Sequence, residues 1–278
     1  MLRKYISKLV LVSIVFIGCK NETVEETNNS NTPINNNSTQ VPVNIPYNIT
    51  NVYPHDSTSF TEGLEWTDGF LYESGGDWGL GKLAKVDIAT GKDVQRKNFK
   101  SKEEFKEGIT IFNNKIYQLN YKTQVCEVFD LTSFQLIKTL PYDGEGWGMT
   151  NNSKFLIMNN GSDKLYFRDP ETFKVMSIIS VKDNNGPLAG INEMEWVNGF
   201  IYANVFMTDK IVKINPETGW VVGEADFSGL LQKHGIMGFS RETEQRGPVL
   251  NGIAYNANKK VFYITGKLWP KLFEVSME

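Results

Sequence analysis

Five polar side chains recur at matching points along the chain: Glu62, Glu107, Glu145, Asn192 and Asn251. Each heads a short apolar run, with a turn six residues on and a second apolar run after it. The turns are Asp68-Gly69, Asn113-Asn114, Asn151-Asn152, Asn198-Gly199 and, most loosely, a stretch near Asn258. If the shared position faces a common axis, three acids and two amides converge there. Lys267 ends the second run of the fifth copy. Carboxylates and a lysine at one channel mouth can hold an ammonium group and move protons. Aromatic side chains accompany them: Phe60, Phe105 and Trp147 lie beside the leading acids, and Tyr121 and Phe206 follow second runs. Three acids in one ring would also suit a hard cation, so a structural calcium ion in the channel is an alternative.

Other chemistries are poorly provided for. The two histidines, His55 and His234, are far apart and have no cysteine support, which argues against zinc or iron. No glycine-rich phosphate loop opens a helix, and no Ser/His/Asp set stands out. Cys126 reads as a half-buried strand residue.

The elements that must position these residues are hairpins. Asp-Gly, Asn-Gly and Asn-Asn between apolar runs mark tight turns that need positive φ. In four copies a second strand pair follows, joined by Asp87-x-x-Thr90-Gly91, by turns at Asp130 and Asp169, and by Asn215-x-x-Thr218-Gly219. Five units at this spacing predict an all-β, five-bladed β-propeller over residues 47–278. The fifth unit ends after a third strand, Leu272–Val275, so Asn48–Tyr53 is expected to supply its outer strand and close the ring. An insertion around Leu230–Gly247 is either a loop or short helix at the channel mouth, or a solvated loop without a role. Asn251 and Glu193 are expected to satisfy neighbouring backbone, and Trp66 and Trp196 to pack between blades.

The amino terminus has a separate character. Arg3, Lys4 and Lys8 precede the apolar run Leu9–Ile17, which is too short to span a bilayer and predicts a signal peptide over residues 1–18. Phe16-Ile17-Gly18-Cys19 resembles a bacterial lipobox, which implies lipidation of Cys19 and an extracytoplasmic, membrane-anchored protein, on the periplasmic side or at the cell surface. Residues 19–46, rich in Asn, Thr and Ser, are expected to be a flexible tether. Losing residues 1–18 removes three of 29 cations and none of 32 acids, leaving a net −6 and no footprint for nucleic acid. The chain is expected to act as a monomer.

Seven runs then carry a resemblance. They include Phe60-Thr61-Glu62-Gly63-Leu64-Glu65, Gly144-Glu145-Gly146-Trp147-Gly148, Asn192-Glu193-Met194-Glu195, Asn251-Gly252-Ile253-Ala254-Tyr255 and Thr265-Gly266-Lys267-Leu268-Trp269-Pro270. The chain from about 52 to 276 resembles the plant and bacterial glutaminyl-peptide cyclotransferases, five-bladed propellers that work without zinc. The resemblance implies conversion of an N-terminal Gln to pyroglutamate with loss of ammonia, and no required cofactor. It implies that Glu107, in Phe105-Lys106-Glu107-Gly108, is the general acid/base, and that Asn192 and Lys267 bind substrate and polarise the carboxamide. Phe60, Phe105 and Trp147 would line the pocket. Glu62 stands where the family often has Gln, and Tyr121 and Phe206 stand where Trp is usual. Two readings compete: a non-catalytic, lipid-tethered propeller binding peptides or glycans, and a calcium-dependent lactonase-like propeller.

Overall fold

Strand after strand in this chain is short, bounded by a turn and apolar on the face that meets the next blade. The structure, a computed structural model, describes residues 40–277; Cys19 and most of the expected tether lie outside them. Blade one comprises Thr61–Thr67, Phe70–Gly75, Gly81–Asp87 and Lys92–Phe99. Blade two comprises Lys106–Phe112, Lys115–Asn120, Val125–Asp130 and Leu136–Pro141, and blade three Met149–Asn151, Leu156–Asn159, Lys164–Arg168 and Val175–Ser180. Blade four is Ile191–Val197, Phe200–Val205, Lys210–Ile214 and Val221–Asp226. Leu250–Asn256, Val261–Gly266 and Lys271–Met277 make the fifth, closed as expected by Tyr47–Pro54 paired antiparallel to Lys271–Met277.

The turn chemistry follows the sequence. Asp68 and Gly69, Asn113 and Asn114, and Asn198 and Gly199 all take positive φ, as a two-residue hairpin turn demands. At the outer turns Asp87, Asp130 and Asp169 accept backbone N–H groups from Thr90, Ser133 and Thr172 at 2.8–2.9 Å. Blades pack through apolar faces: Leu64, Leu71 and Ala84 of blade one meet Ala254, Tyr263 and Leu272 of blade five. Acids near the axis tie neighbouring inner strands together. Glu193 accepts from the N–H groups of Leu64 (3.1 Å) and Ile253 (2.6 Å), Glu195 from Tyr255 (3.0 Å) and Glu65 from Ile111 (2.7 Å). Glu193 thus serves backbone, as expected, and Trp66 and Trp196 pack against the inter-blade cores.

Three expectations need correction. The third hairpin has a four-residue turn, because Asn151 pairs with Leu156. Counting back from the turn therefore picks Glu145, whereas the position equivalent to Glu62 and Glu107 is Trp147, two residues before Met149. The ring holds two acids, a tryptophan and two amides, and Glu145 sits half-buried in the loop ahead of it. Second, the folded part begins before residue 47: Val43 and Asn44 pair parallel with Gly223 and Glu224, and Ile45 is buried in the blade-four and blade-five core. The polar composition of the segment hides three residues that suit a strand. Third, Cys126 is fully buried, and burial pushes its thiol up out of reactive range.

Candidate active site

The register of the inner strands slips at the same place in four blades: at Thr61/Gly63, Lys106/Ile109, Ile191/Met194 and Leu250/Ile253. These β-bulges take Glu62, Glu107, Asn192 and Asn251 out of the regular ladder, a device that re-aims side chains. Glycines let the bulged strands approach: a Cβ on Gly63 would lie 2.5 Å from Ile109 N, and one on Gly148 would lie 1.9 Å from Asn192 O. Just past each second strand, by one residue in four blades and by two in blade three, stands a further ring position, held by Gly76, Tyr121, Gly161, Phe206 and Lys267. Its backbone bonds the segment before an inner strand, as in Tyr121 N–H to Phe105 O (2.9 Å) and Lys267 N–H to Val249 O (2.9 Å). The two glycines are needed where aromatic rings cross: a Cβ on Gly76 would meet Phe105 at 2.4 Å, and one on Gly161 would meet Trp147 at 2.7 Å.

These two rings enclose a pocket of about 340 Å³. Its lining contains Glu107, Asn192 and Lys267, with Phe60, Glu62, Phe105, Tyr121, Trp147 and Phe206, whereas Glu145 and Asn251 of the five leading residues are not part of it. Glu62 and Lys267 form a buried ion pair, Nζ to Oε1 2.6 Å, and Asn251 donates to the other Glu62 oxygen at 3.3 Å. The Lys267 ammonium lies 4.6 Å from the centre of the Phe60 ring and 5.5 Å from that of Phe206. Glu107 shares a hydrogen bond with Glu62. Burial first, and then the charge of Glu62, hold the Glu107 carboxyl well above the usual carboxylate range. Burial also raises Glu62, against the opposing pull of Lys267. Lys267 lies directly beside Glu62 and so favours ionisation of Glu62 over that of Glu107. Asn192 is buried, and its Oδ1 has no hydrogen-bond partner. Asn251 instead bonds Thr61 O (2.9 Å) and Glu62, so it serves the frame.

Sequence reasoning missed four lining residues: Trp78, Met207, Arg246 and Gly247. Arg246 and Gly247 come from the insertion, which forms two short helices, Leu230–Lys233 and Arg241–Arg246, and reaches the channel mouth. It also missed a buried network behind Phe60. Glu73 bonds Lys82 (2.9 Å), His55 (3.1 Å), Ser59 (2.5 Å) and Thr61 (2.7 Å), and His55 Nδ1 lies 2.7 Å from Trp269 O. The cluster holds the residues on both sides of Phe60 and the backbone just after Lys267. No local signal marks these contacts, because their partners are distant in sequence. Among the described residues no group of three or more His, Cys, Asp or Glu side chains is arranged to hold a metal ion.

Fold and pocket together define a five-bladed propeller with two buried neighbouring carboxyls, Glu62 and Glu107, in an aromatic cleft. Residues 19–277 match the family model for glutamine cyclotransferase. The chain is 33% identical over 231 residues to a glutaminyl-peptide cyclotransferase of Arabidopsis thaliana, covering 81% of this chain and 69% of that protein. The crystal structure of Myxococcus xanthus glutaminyl cyclase matches with a TM-score of 0.78 at 32% identity, over 85% of this chain and 98% of that one. The chain belongs to the glutamine cyclotransferase family.

Proposed function

We propose that this chain cyclises the N-terminal glutamine of peptides or proteins to pyroglutamate and releases ammonia, with Glu107 as its proton shuttle and without zinc. The observation that carries the reading is the buried Glu107 carboxyl in one pocket with the Glu62–Lys267 ion pair and Asn192, its affinity for a proton raised by burial and by Glu62. The nucleophile and the amide carbon belong to one residue, so the substrate itself supplies much of the proximity. The neutral α-amine attacks the side-chain carboxamide carbon. The Asn192 Nδ2 group and the Lys267 ammonium donate to the oxygen as it gains charge. Glu107 gives its proton to the departing nitrogen, the C–N bond breaks, and ammonia leaves. The carboxylate then takes the excess proton from the new ring nitrogen, which restores the starting state. An α-amine with a pKa of roughly 8 is largely within reach of neutral pH, and a carboxyl raised by burial is matched to it.

The calcium-based reading loses support, because Glu145 is not a ring acid and Glu62 is already paired with Lys267. A binding module has no use for a buried carboxyl whose affinity for a proton is raised by a neighbouring carboxyl. The test is pyroglutamyl product from a Gln-initiated peptide. Asn192→Ala and Lys267→Met are each expected to lower kcat about a hundredfold or more. Near wild-type kcat in both would remove the oxyanion assignment.

Export and lipid attachment at Cys19 are part of the proposal and rest on residues 1–19, which lie outside the described region. Labelling with a fatty-acid analogue in a bacterial host tests them. Label lost in Cys19→Ala is the expected result, and label retained would move the anchor elsewhere.

A further inference from the structure

The rim of the pocket is unlike its floor. Trp78 and Met207 are 43% and 67% exposed, although both line the cavity. They face the opening from blades one and four. Each is presented by backbone in an unusual state: Asp77, just before Trp78, has φ +88°, and Met207 itself has φ +63°. Such conformations persist in non-glycine residues only where the surroundings hold them, and they cluster at binding sites. Asp77 is held twice, by the Trp78 N–H to its Oδ1 (2.8 Å) and by Arg246 Nη2 to its Oδ2 (2.7 Å). The Arg246–Asp77 pair therefore ties the insertion to blade one across the mouth. The guanidinium also lies 6.0 Å from the centre of the Phe60 ring. Its bond to Asp77 is its one hydrogen bond among the described residues, so most of its five donors are free. The Trp78 ring in turn stacks edge-on with Phe105, 5.3 Å between centroids, so the exposed rim is continuous with the aromatic wall below.

We infer that Trp78, Met207 and Arg246 form a subsite for the residue that follows the N-terminal glutamine. The inference rests on the cyclotransferase reading, which places the glutamine side chain at Glu107. A peptide whose first residue reaches that floor must leave through this mouth, and its second side chain then passes the exposed Trp78 and Met207. That surface favours a large apolar or aromatic side chain. Arg246, oriented by Asp77, donates to the carbonyl of the second residue and so acts on every sequence alike.

Two amidated dipeptides, Gln-Phe-amide and Gln-Gly-amide, test the assignment without a terminal carboxylate to confuse the role of Arg246. Wild type is expected to favour Gln-Phe-amide in kcat/KM by about tenfold or more, the scale of a well-formed apolar contact. Trp78→Ala should bring that ratio close to one, and Trp78→Phe should retain most of it. Arg246→Met should raise KM for both peptides in parallel and leave the ratio in place, the mark of lost uniform binding. A ratio unchanged in Trp78→Ala, or already near one in wild type, overturns the subsite. If wild type releases ammonia from neither peptide, the reaction assignment fails instead. The subsite is then judged by calorimetric titration of the same two amides, where Trp78→Ala must narrow the ratio of Kd values; an unchanged ratio overturns it there too.

Discussion

Removing the lysine from the Glu62–Lys267 pair is the most informative perturbation of this site. The two side chains are 2% and 7% exposed and 2.6 Å apart. At an effective dielectric constant of about 20, a pair at that distance attracts by roughly 6 kcal/mol before desolvation is counted. Breaking a buried pair from one side costs about 3–5 kcal/mol, because the remaining charge is stranded. In Lys267→Met the stranded group is Glu62, beside Glu107. It can escape only by taking up a proton, so its folded-state pKa then lies above its unfolded one. An acid shifted in that direction loses stability as pH rises. Lys267→Met should therefore cost the full 3–5 kcal/mol near pH 8 and clearly less near pH 5, about 6–20 °C in Tm at the higher pH for a domain of this size. Glu62→Gln should be milder, because Glu107 can ionise and take over as partner of Lys267. The double variant Glu62→Gln/Lys267→Met strands nothing and should regain at least half of the loss. Urea unfolding at both pH values gives the cycle. Single-variant costs that simply add in the double variant, or a Lys267→Met cost that does not change with pH, would refute the placement of charge in the pocket.

Three further outcomes are expected. Burial raises Glu65 to about 8 and holds Glu193 and Glu195 well above the usual range. Their folded forms bind protons that the unfolded chain releases above about 4.5, so stability should fall from pH 5 to pH 8, and urea midpoints should show Glu65→Gln flattening that slope. A chain starting at residue 47 loses the buried Ile45 and should be about 1.5–3 kcal/mol less stable than one starting at 40, whereas a start at 56 removes the closing strand of blade five and should lower Tm by more than about 10 °C. Gly161→Ala places a methyl 2.7 Å from Trp147 at a residue with φ +76°, so Michaelis–Menten measurements should show KM rising several-fold through a displaced pocket wall.

The fold was legible in the sequence because its signals are local. Asp68-Gly69, Asn113-Asn114 and Asn198-Gly199 announce hairpins in two residues each, and the missing last strand of blade five points to Tyr47–Pro54. The floor of the pocket was legible because ring positions recur with the blade repeat. What failed were inferences that needed an exact count or a side-chain partner with no repeat signal of its own. The two extra turn residues of the third hairpin put Glu145 where Trp147 stands. Val43–Ile45 look like tether until an outer strand of blade four is there to pair with them. Trp78 lies outside the repeated hairpin signals, the insertion that carries Arg246 read equally as a channel-mouth element or a solvated loop, and the bond between Arg246 and Asp77 spans 169 residues. The β-bulges that aim Glu62 and Glu107 leave only a glycine as a trace, and Asn192 lacks even that.

The central claim is that Glu107 carries the proton in a metal-independent cyclisation. It is tested most directly by ammonia release from a Gln-initiated dipeptide, with and without chelator, beside Glu107→Gln. Release that survives chelator and disappears in Glu107→Gln is the predicted result. Release that stops with chelator, or that persists in Glu107→Gln, would contradict the account.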